Sequence, residues 1–600
     1  MVFDSLMIRH WTEWNVYSKR NHLLLFELSV TPEGLLRARD DRPPSDVMQG
    51  IEADCPGKAP GDGDEDYCVS PEGTHIAMSF RRPQPAGVDG LQRQARDAAW
   101  TTDTGIYISS MSEDDREAGR AAQPKLVSSE TRAYNKCPSF SPGGRYLAYL
   151  SMARPGYESD RQSIMVYDLE TEQTHQLASS DGSEIDLSFG SLLWAADGRT
   201  IYSTAVHRGV NRVFKLALDG ILDSKEADSG KKVSVGSLLT MHGVKSYAEP
   251  RIVGSARGEF LYYLQSSLSA PNELVRLQLS SPSSPSVGAA VFVPLAEYDA
   301  RAFQDISDYK DNSQAQLRAQ PVYCPCPQYS NGDIAAPTVT EHYFKGANGD
   351  LVHAFYLPPV TLDGDLGDAA VPLLLIVHGG PQGAIMNSWN YRWNMSIFAA
   401  QGYGVLAVNF HGSVGYGQAF TDSIRGDWGG GPFQDCILGV DYILSQHRYL
   451  DEDRVAALGA SYGGYMVNWM NGHTKRFKCL VNHDGIFSLR SLYYVTEELW
   501  FPEWEFGLPW TEEGSAEYRK WSPDEFVSEW STPTLVVQGG KDYRVCEGEG
   551  ISTFTALQRK GVPSRLLFFE DEGHWVLKPQ NSEMWYRTLF QWLEQWLSKA

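Results

Sequence analysis

The chain has 600 residues, 42% of them hydrophobic, and a formal charge of −23. A surface this acidic repels nucleic acid and anionic membranes, and the length exceeds what one hydrophobic core serves, so about two to four domains are expected. Met1 to Leu6 lacks the basic start and apolar stretch of a signal peptide, and no run approaches the roughly eighteen apolar residues of a membrane span, which predicts a cytoplasmic protein for the chain as written.

Before residue 300 helical periodicity is nearly absent and one pattern recurs. Ser70-Pro71-Glu72-Gly73-Thr74-His75-Ile76-Ala77 and Ser141-Pro142-Gly143-Gly144-Arg145-Tyr146-Leu147-Ala148 are followed by weaker copies from Ala195 to Tyr202 and from Ser255 to Tyr262. A tight turn feeding a strand every roughly 55 to 70 residues marks the blades of a β-propeller. Gly61 to Asp66 and Ser280 to Ser286 read as solvated insertions, and the polar, Pro-rich stretch Asp308 to Ala336 as a linker. The expected division is a propeller over 1–305, a linker over 306–336 and a second domain over 337–600. Eight cysteines show no Cys-x-x-Cys pair or His-rich spacing; Cys324-Pro325-Cys326 is too close for an easy disulfide and too isolated for a metal. No metal or cofactor is predicted.

From about residue 340 the pattern changes. Strand-like runs Leu373 to Val377, Val405 to Phe410, Val455 to Leu458, Cys479 to Asn482, Thr534 to Gln538 and Leu566 to Phe569 alternate with helix-like segments, including Asp435 to Ser445, Tyr462 to Met470 and Gly550 to Arg559. This alternation predicts an α/β domain with a doubly wound, mostly parallel sheet. The last segment, Glu583 to Leu597, places Met584, Trp585, Leu589, Trp592, Leu593 and Trp596 on one apolar face.

The chemistry sits where those strands end. His378-Gly379-Gly380-Pro381-Gln382 follows the first strand-like run, and a glycine loop there supplies a backbone N–H to an oxyanion; Gly380 is the expected donor. Gly459-Ala460-Ser461-Tyr462-Gly463 is a Gly-x-Ser-x-Gly turn between strand and helix, which presents Ser461 as a nucleophile and the N–H of Tyr462 as a second donor. Asp542 follows the run ending at Gln538, and His574 follows the last strand. The order Ser, Asp, His is that of α/β-hydrolases. Asp571 and Glu572 compete for the acid role but share the loop of His574, whereas His378 and His483 read as core histidines. The sequon Asn394-Met395-Ser396 lies beside a core helix and reads as incidental.

Together, His378-Gly379-Gly380-Pro381, Gly412-Ser413-Val414-Gly415-Tyr416-Gly417, Gly459 to Gly464, Asp542-Tyr543-Arg544-Val545 and Gly573-His574 resemble the prolyl oligopeptidase family of serine peptidases. Thr496 to Trp504 and Gly573 to Leu577 are most similar to its dipeptidyl-peptidase V and acylaminoacyl-peptidase branches. The resemblance implies Ser461 as nucleophile, His574 as base, Asp542 as orienting acid, Gly380 and Tyr462 as oxyanion donors, and a propeller of seven or eight blades that admits short peptides. Blades of the observed spacing fit only about five or six times before the linker, which predicts a propeller truncated at its N-terminus, and a secreted protein if a leader is missing with it.

The expected activity is hydrolysis of short peptides through an acyl-enzyme, releasing N-terminal dipeptides. Glu497 or Glu498 is then the partner of the substrate's amine, unless Glu497 to Glu505 is a solvated lid loop. The alternatives are an acylaminoacyl-peptidase or oligopeptidase, a carboxylesterase, and a non-catalytic propeller binding module. Oligomeric state, including a homo-oligomer, stays open.

Overall fold

The computed structural model describes residues 6, 8–14, 20–26, 28–31, 35–38, 44–57, 66–82, 99–111, 124–129, 131–178, 184–218, 232–234, 237–241, 245–255, 258–280, 292–294, 320–323, 336–360 and 370–599. Cys324, Cys326 and the stretches 61–65, 281–286 and 308–319 lie outside them.

Among the described residues, the first half holds three two-stranded sheets and four larger ones, the larger ones built of antiparallel hairpins except for Lys232–Ser234, which runs parallel to Gln173–Ala178 in the second. In chain order, the four larger sheets start at Tyr67–Val69, Asn135–Phe140, Leu193–Trp194 and Ser246–Ser255. The recurring motif is the first turn of each of the first three. Gly73 N–H donates to Ser70 O, Gly144 N–H to Ser141 O and Gly198 N–H to Ala195 O, and each turn feeds the second strand of its sheet. In the fourth copy the strands end at Ser255 and resume at Gly258.

Consecutive sheets stack through their faces. Ala77 and Ile106 of the first meet Leu147 and Tyr149 of the second. Leu150 and Val166 meet Ile201 and Phe214 of the third, and Tyr202 and Val213 meet Leu261 and Val275 of the fourth. The second and third sheets are apolar on both faces because each is sandwiched between neighbours, which is propeller packing. Gln320–Tyr323, inside the segment read as a linker, is instead a strand of the fourth sheet, antiparallel to Ala270–Ser280.

The second half forms one eight-stranded sheet. Its strands are β1 (Thr340–Lys345), β2 (Leu351–Leu357), β3 (Val371–Val377), β4 (Gly404–Asn409), β5 (Leu450–Ala460), β6 (Cys479–His483), β7 (Thr534–Gly539) and β8 (Ser564–Phe569). They lie in the order β1-β2-β4-β3-β5-β6-β7-β8, parallel from β4 onward. β3 is buried on both faces. Leu373, Leu375 and Val377 meet Val440, Ile443 and Met466 on one side, while Leu374 and Ile376 meet Phe398, Leu589 and Trp592 on the other. This is the period of two that an extended chain imposes, applied to a continuous apolar run.

The flanking helices are α1 (Met395–Ala400), α2 (Gln418–Asp422), α3 (Gly431–Gln446), α4 (Tyr462–His473), α5 (Leu489–Val495), α6 (Trp500–Phe506), α7 (Glu512–Lys520), α8 (Glu547–Arg559) and α9 (Pro579–Leu597). Helix α9 buries Trp585, Leu589, Trp592, Leu593 and Leu597, but Met584 is 52% exposed and falls off the face assigned to it. Asn394 is the buried N-cap of α1, its side chain accepting from Ser396 N–H, which leaves no room for a glycan. No helix among the described residues is long and apolar enough to cross a membrane.

Candidate active site

Ser461 stands alone between β5 and α4 with φ 59° and ψ −120°. That left-handed conformation is costly for a residue with a side chain, and the packing around the turn enforces it. A Cβ on Gly459 would lie 2.3 Å from Gly463 O, and one on Gly463 would lie 2.2 Å from Val377 O. Only glycine permits β3, β5 and α4 to converge this closely. Ser461 N–H donates to His483 O at 3.0 Å, tying the turn to β6.

Asp542 lies in the turn after β7, 2% exposed, and His574 in the loop after β8, 8% exposed. Their hydrogen bond joins His574 Nδ1 to Asp542 Oδ2 at 2.6 Å. Asp542 Oδ1 accepts from the N–H groups of Arg544 and Val545 at 3.0 and 2.9 Å, which fixes the carboxylate in its turn. Burial opposes charge on both partners and lifts the Asp542 carboxyl above its usual range. On the imidazole burial is outweighed by the Asp542 carboxylate, so His574 holds its proton above the usual histidine range. The rival acids are engaged elsewhere. Asp571 pairs with Lys578, and Glu572 accepts from Leu577 N–H and Lys578 N–H.

Gly380, Ser461, Tyr462, Arg544 and Val545 line one cleft, whose remaining walls include Trp428, Ile486, Leu492, Thr496 and Phe501. Tyr462 opens α4, where backbone N–H groups have no intrahelical acceptor. His378 is buried, stacks on Phe410 and bonds Ser413 Oγ at 2.8 Å; burial lowers it to about 4, so it is a neutral core imidazole. His483 is likewise buried, stacked on Trp393.

The segment from Glu497 to Glu505 is not a solvated loop. Glu497 and Glu498 are each 6% exposed, and Trp500, Phe501 and Phe506 belong to the core. Glu498 is already paired with Arg544 and, at 2.9 Å, with His10. Burial raises Glu497 to about 8 against the opposing charges of Arg9 and Arg544, and neither of its oxygens closes a well-formed hydrogen bond.

Three participants escape the sequence reading. Glu158, from the first half of the chain, accepts from Trp500 Nε1 at 2.7 Å and lies 3.6 Å from Arg544. Trp11 packs its ring edge against His574 at 5.9 Å, and its carbonyl accepts from Tyr543 N–H. These contacts span hundreds of residues, so no local signal announces them. Asp484, in the turn after β6, is buried beside Asp542 and His574. Its position at the carboxyl end of a strand was the available clue.

Glu505, in α6, accepts from Gln382 Nε2 at 2.7 Å and Trp428 Nε1 at 2.8 Å, bracing the glycine loop against the cleft wall. Burial raises its carboxyl to about 7, with those two hydrogen bonds pulling the other way. A carboxyl raised in the fold keeps its proton where the unfolded chain has lost it. The stability it contributes is therefore complete below its ordinary 4.5 and is lost as pH rises through 7. Urea midpoints between pH 4.5 and 8 should fall more steeply for the parent than for Glu505→Gln, by the equivalent of about 3 kcal/mol; parallel profiles would contradict this account.

The profile of the prolyl oligopeptidase family matches residues 389–600. The chain is 32% identical over 599 residues to dipeptidyl-peptidase 5 of Schizosaccharomyces pombe, covering 99% of this chain and 74% of that one. It is 30% identical over 606 residues to dipeptidyl-peptidase 5 of Porphyromonas gingivalis, covering 100% and 75%. Among solved structures, a Mycobacterium tuberculosis puromycin-hydrolyzing peptidase is similar in fold, with TM-score 0.61 at 19% identity over 89% of this chain and 70% of that one.

Proposed function

The chain belongs to the prolyl oligopeptidase family and is a serine-type peptidase, and from that premise we propose that it releases dipeptides from the free N-termini of short peptides. The observation that carries the reading is the strained Ser461, lining one cleft with Gly380, Tyr462 and the Arg544-Val545 turn that also holds the buried Asp542–His574 pair. Ser461 Oγ attacks the scissile carbonyl, and His574 takes its proton and returns it to the leaving amine. Asp542 fixes the imidazole tautomer and stabilises the imidazolium, while the N–H groups of Gly380 and Tyr462 receive the oxyanion. Water then releases the acyl group by the same steps in reverse. The propeller over the first half caps the peptidase domain and limits substrates to short chains.

A dipeptidyl-peptidase must hold a free amine two residues from the scissile bond. Thr496 lines the cleft and Glu497 follows it, a buried carboxyl held protonated near neutrality. An ammonium arriving there restores its charge and forms a desolvated ion pair. Glu498, already committed to Arg544 and His10, holds the guanidinium instead. A dipeptidyl reporter should be hydrolysed at least about 100-fold faster than its N-acetylated form, and Glu497→Gln should raise KM for the free-amine reporter more than it lowers kcat. Preference for the acetylated reporter would favour an acylaminoacyl-peptidase, and preference for a simple ester a carboxylesterase.

A further inference from the structure

The triad reading uses one carboxylate, yet two are buried beside His574. Asp484 is 1% exposed and follows β6 directly, in the turn whose next residue, Gly485, packs against Gly464 of α4. A carboxylate oxygen of Asp484, one of Asp542 and a ring nitrogen of His574 lie within 4.8 Å of one another. Asp484 Oδ1 accepts from Gly539 N–H at 3.1 Å, and Asp484 N–H donates to Val537 O. The side chain is thereby fixed to the strand that carries Asp542. Its Oδ2 closes no well-formed hydrogen bond, although His483 Nε2 stands 2.9 Å away. The backbone of Asp484 is held at φ 48°, a conformation disfavoured for a residue with a side chain. Burying a second carboxylate against the first is costly unless a positive charge answers both. Among the described residues, the His574 imidazolium formed during a proton transfer stands against both carboxylates, whereas His483 stands beside Asp484.

Resting on the assignment of Ser461, Asp542 and His574 above, we infer that Asp484 is a second acid of this site: a positioning residue whose carboxylate shares with Asp542 the stabilisation of the His574 imidazolium. Asp542 takes the hydrogen bond from Nδ1, and Asp484 acts through space and through Gly539. The charged groups that face the imidazole are Asp542 and Asp484, which favour its proton, and Arg544, which disfavours it. Trp11 covers it with an uncharged ring, and Glu572 is turned to the N–H groups of Leu577 and Lys578.

The sign follows from which form of His574 works. The neutral imidazole is the base, so kcat/KM rises with pH as His574 loses its proton. Asp484→Asn keeps the shape and an oxygen for Gly539 N–H but removes one of the two charges that hold the proton. It should move the acid limb of the pH profile to lower pH and lower kcat about 10-fold or more, with KM little changed. Asp542→Asn, with Asp484 intact, should lose about 10²–10³ in kcat, less than the roughly 10⁴ lost where a triad acid stands alone. The double variant should be slower than Asp542→Asn by a further factor of about 10.

An Asp484→Asn protein whose acid limb stays in place, or a double variant no slower than Asp542→Asn, overturns the inference and leaves Asp484 a purely structural residue. Should Asp484→Asn fail to fold, Asp542→Asn alone decides: a loss of 10⁴ or more in kcat refutes the second acid. Fluorophosphonate labelling of the parent and of Ser461→Ala separates this failure from failure of the triad itself, since Asp484 bears on the rate only if Ser461 is the labelled group.

Discussion

Ser461→Ala is expected to lower kcat on a dipeptidyl reporter by about 10⁵–10⁶-fold and to abolish covalent labelling by a fluorophosphonate, with the thermal midpoint close to that of the parent. The size follows from the roles. Without Oγ there is no acyl-enzyme, and what remains is water attack assisted by the oxyanion donors and by binding, roughly 10³–10⁴-fold over the uncatalysed rate. The fold should tolerate the change because the turn is imposed by the glycines on either side of it. Gly459 and Gly463 keep their contacts with each other and with Val377 O, and alanine meets the φ 59° conformation no worse than serine does. Ser461 N–H still donates to His483 O. An alanine protein that labels like the parent would remove Ser461 from the chemistry and with it the whole acyl-enzyme scheme.

The parts of this site that were legible in sequence share one physical cause. In a parallel sheet every strand presents its carboxyl end at the same edge, so residues just past an apolar run are brought together whatever their separation in sequence. Gly380, Ser461, Asp542 and His574 all follow β3, β5, β7 and β8 in that way. Asp484 follows β6 and obeys the same rule, but a turn aspartate is common enough that position alone did not single it out. Glu158 and Trp11 are different in kind. They reach Arg544 and His574 through contacts between distant parts of the chain, and such pairing leaves no periodicity behind. The same holds for Gln320–Tyr323, a strand only by virtue of its partner across the fourth sheet; its Pro321 and polar surroundings read locally as linker. The repeated propeller turn was legible because its Ser/Ala-x-x-Gly hydrogen bond is local. For α9, period alone placed Met584 on the buried stripe, whereas the structure turns it to solvent and seats Leu597 against the sheet instead.

The glycine loop offers the second large effect. Gly380 has φ +130°, outside the range that side chains tolerate, and a Cβ there would lie 2.6 Å from Gln382 N and 2.7 Å from Gly383 N. Both are backbone atoms, so a substituted loop cannot yield by turning a side chain aside. Nor is the loop free to swing as a unit: Glu505 holds Gln382, Gly383 O accepts from Val414 N–H, and Gly379 rests against Ser461, where a Cβ would lie 3.2 Å from the serine's own. Gly380→Ala must therefore displace the 380–383 backbone and, with it, the N–H assigned to the oxyanion. Loss of one such donor costs about 10²–10³ in kcat, because the hydrogen bond is made to charge that develops only in the transition state. KM should change much less, and fluorophosphonate labelling should slow along with kcat, since its adduct also places an oxygen in that site. A comparison with Gly383→Ala sharpens the test. A Cβ at Gly383 meets Gly379 O at 2.7 Å and disturbs the same loop without carrying the assigned donor. If Gly380→Ala loses no more kcat than Gly383→Ala, the loop contributes shape alone and the oxyanion is held elsewhere.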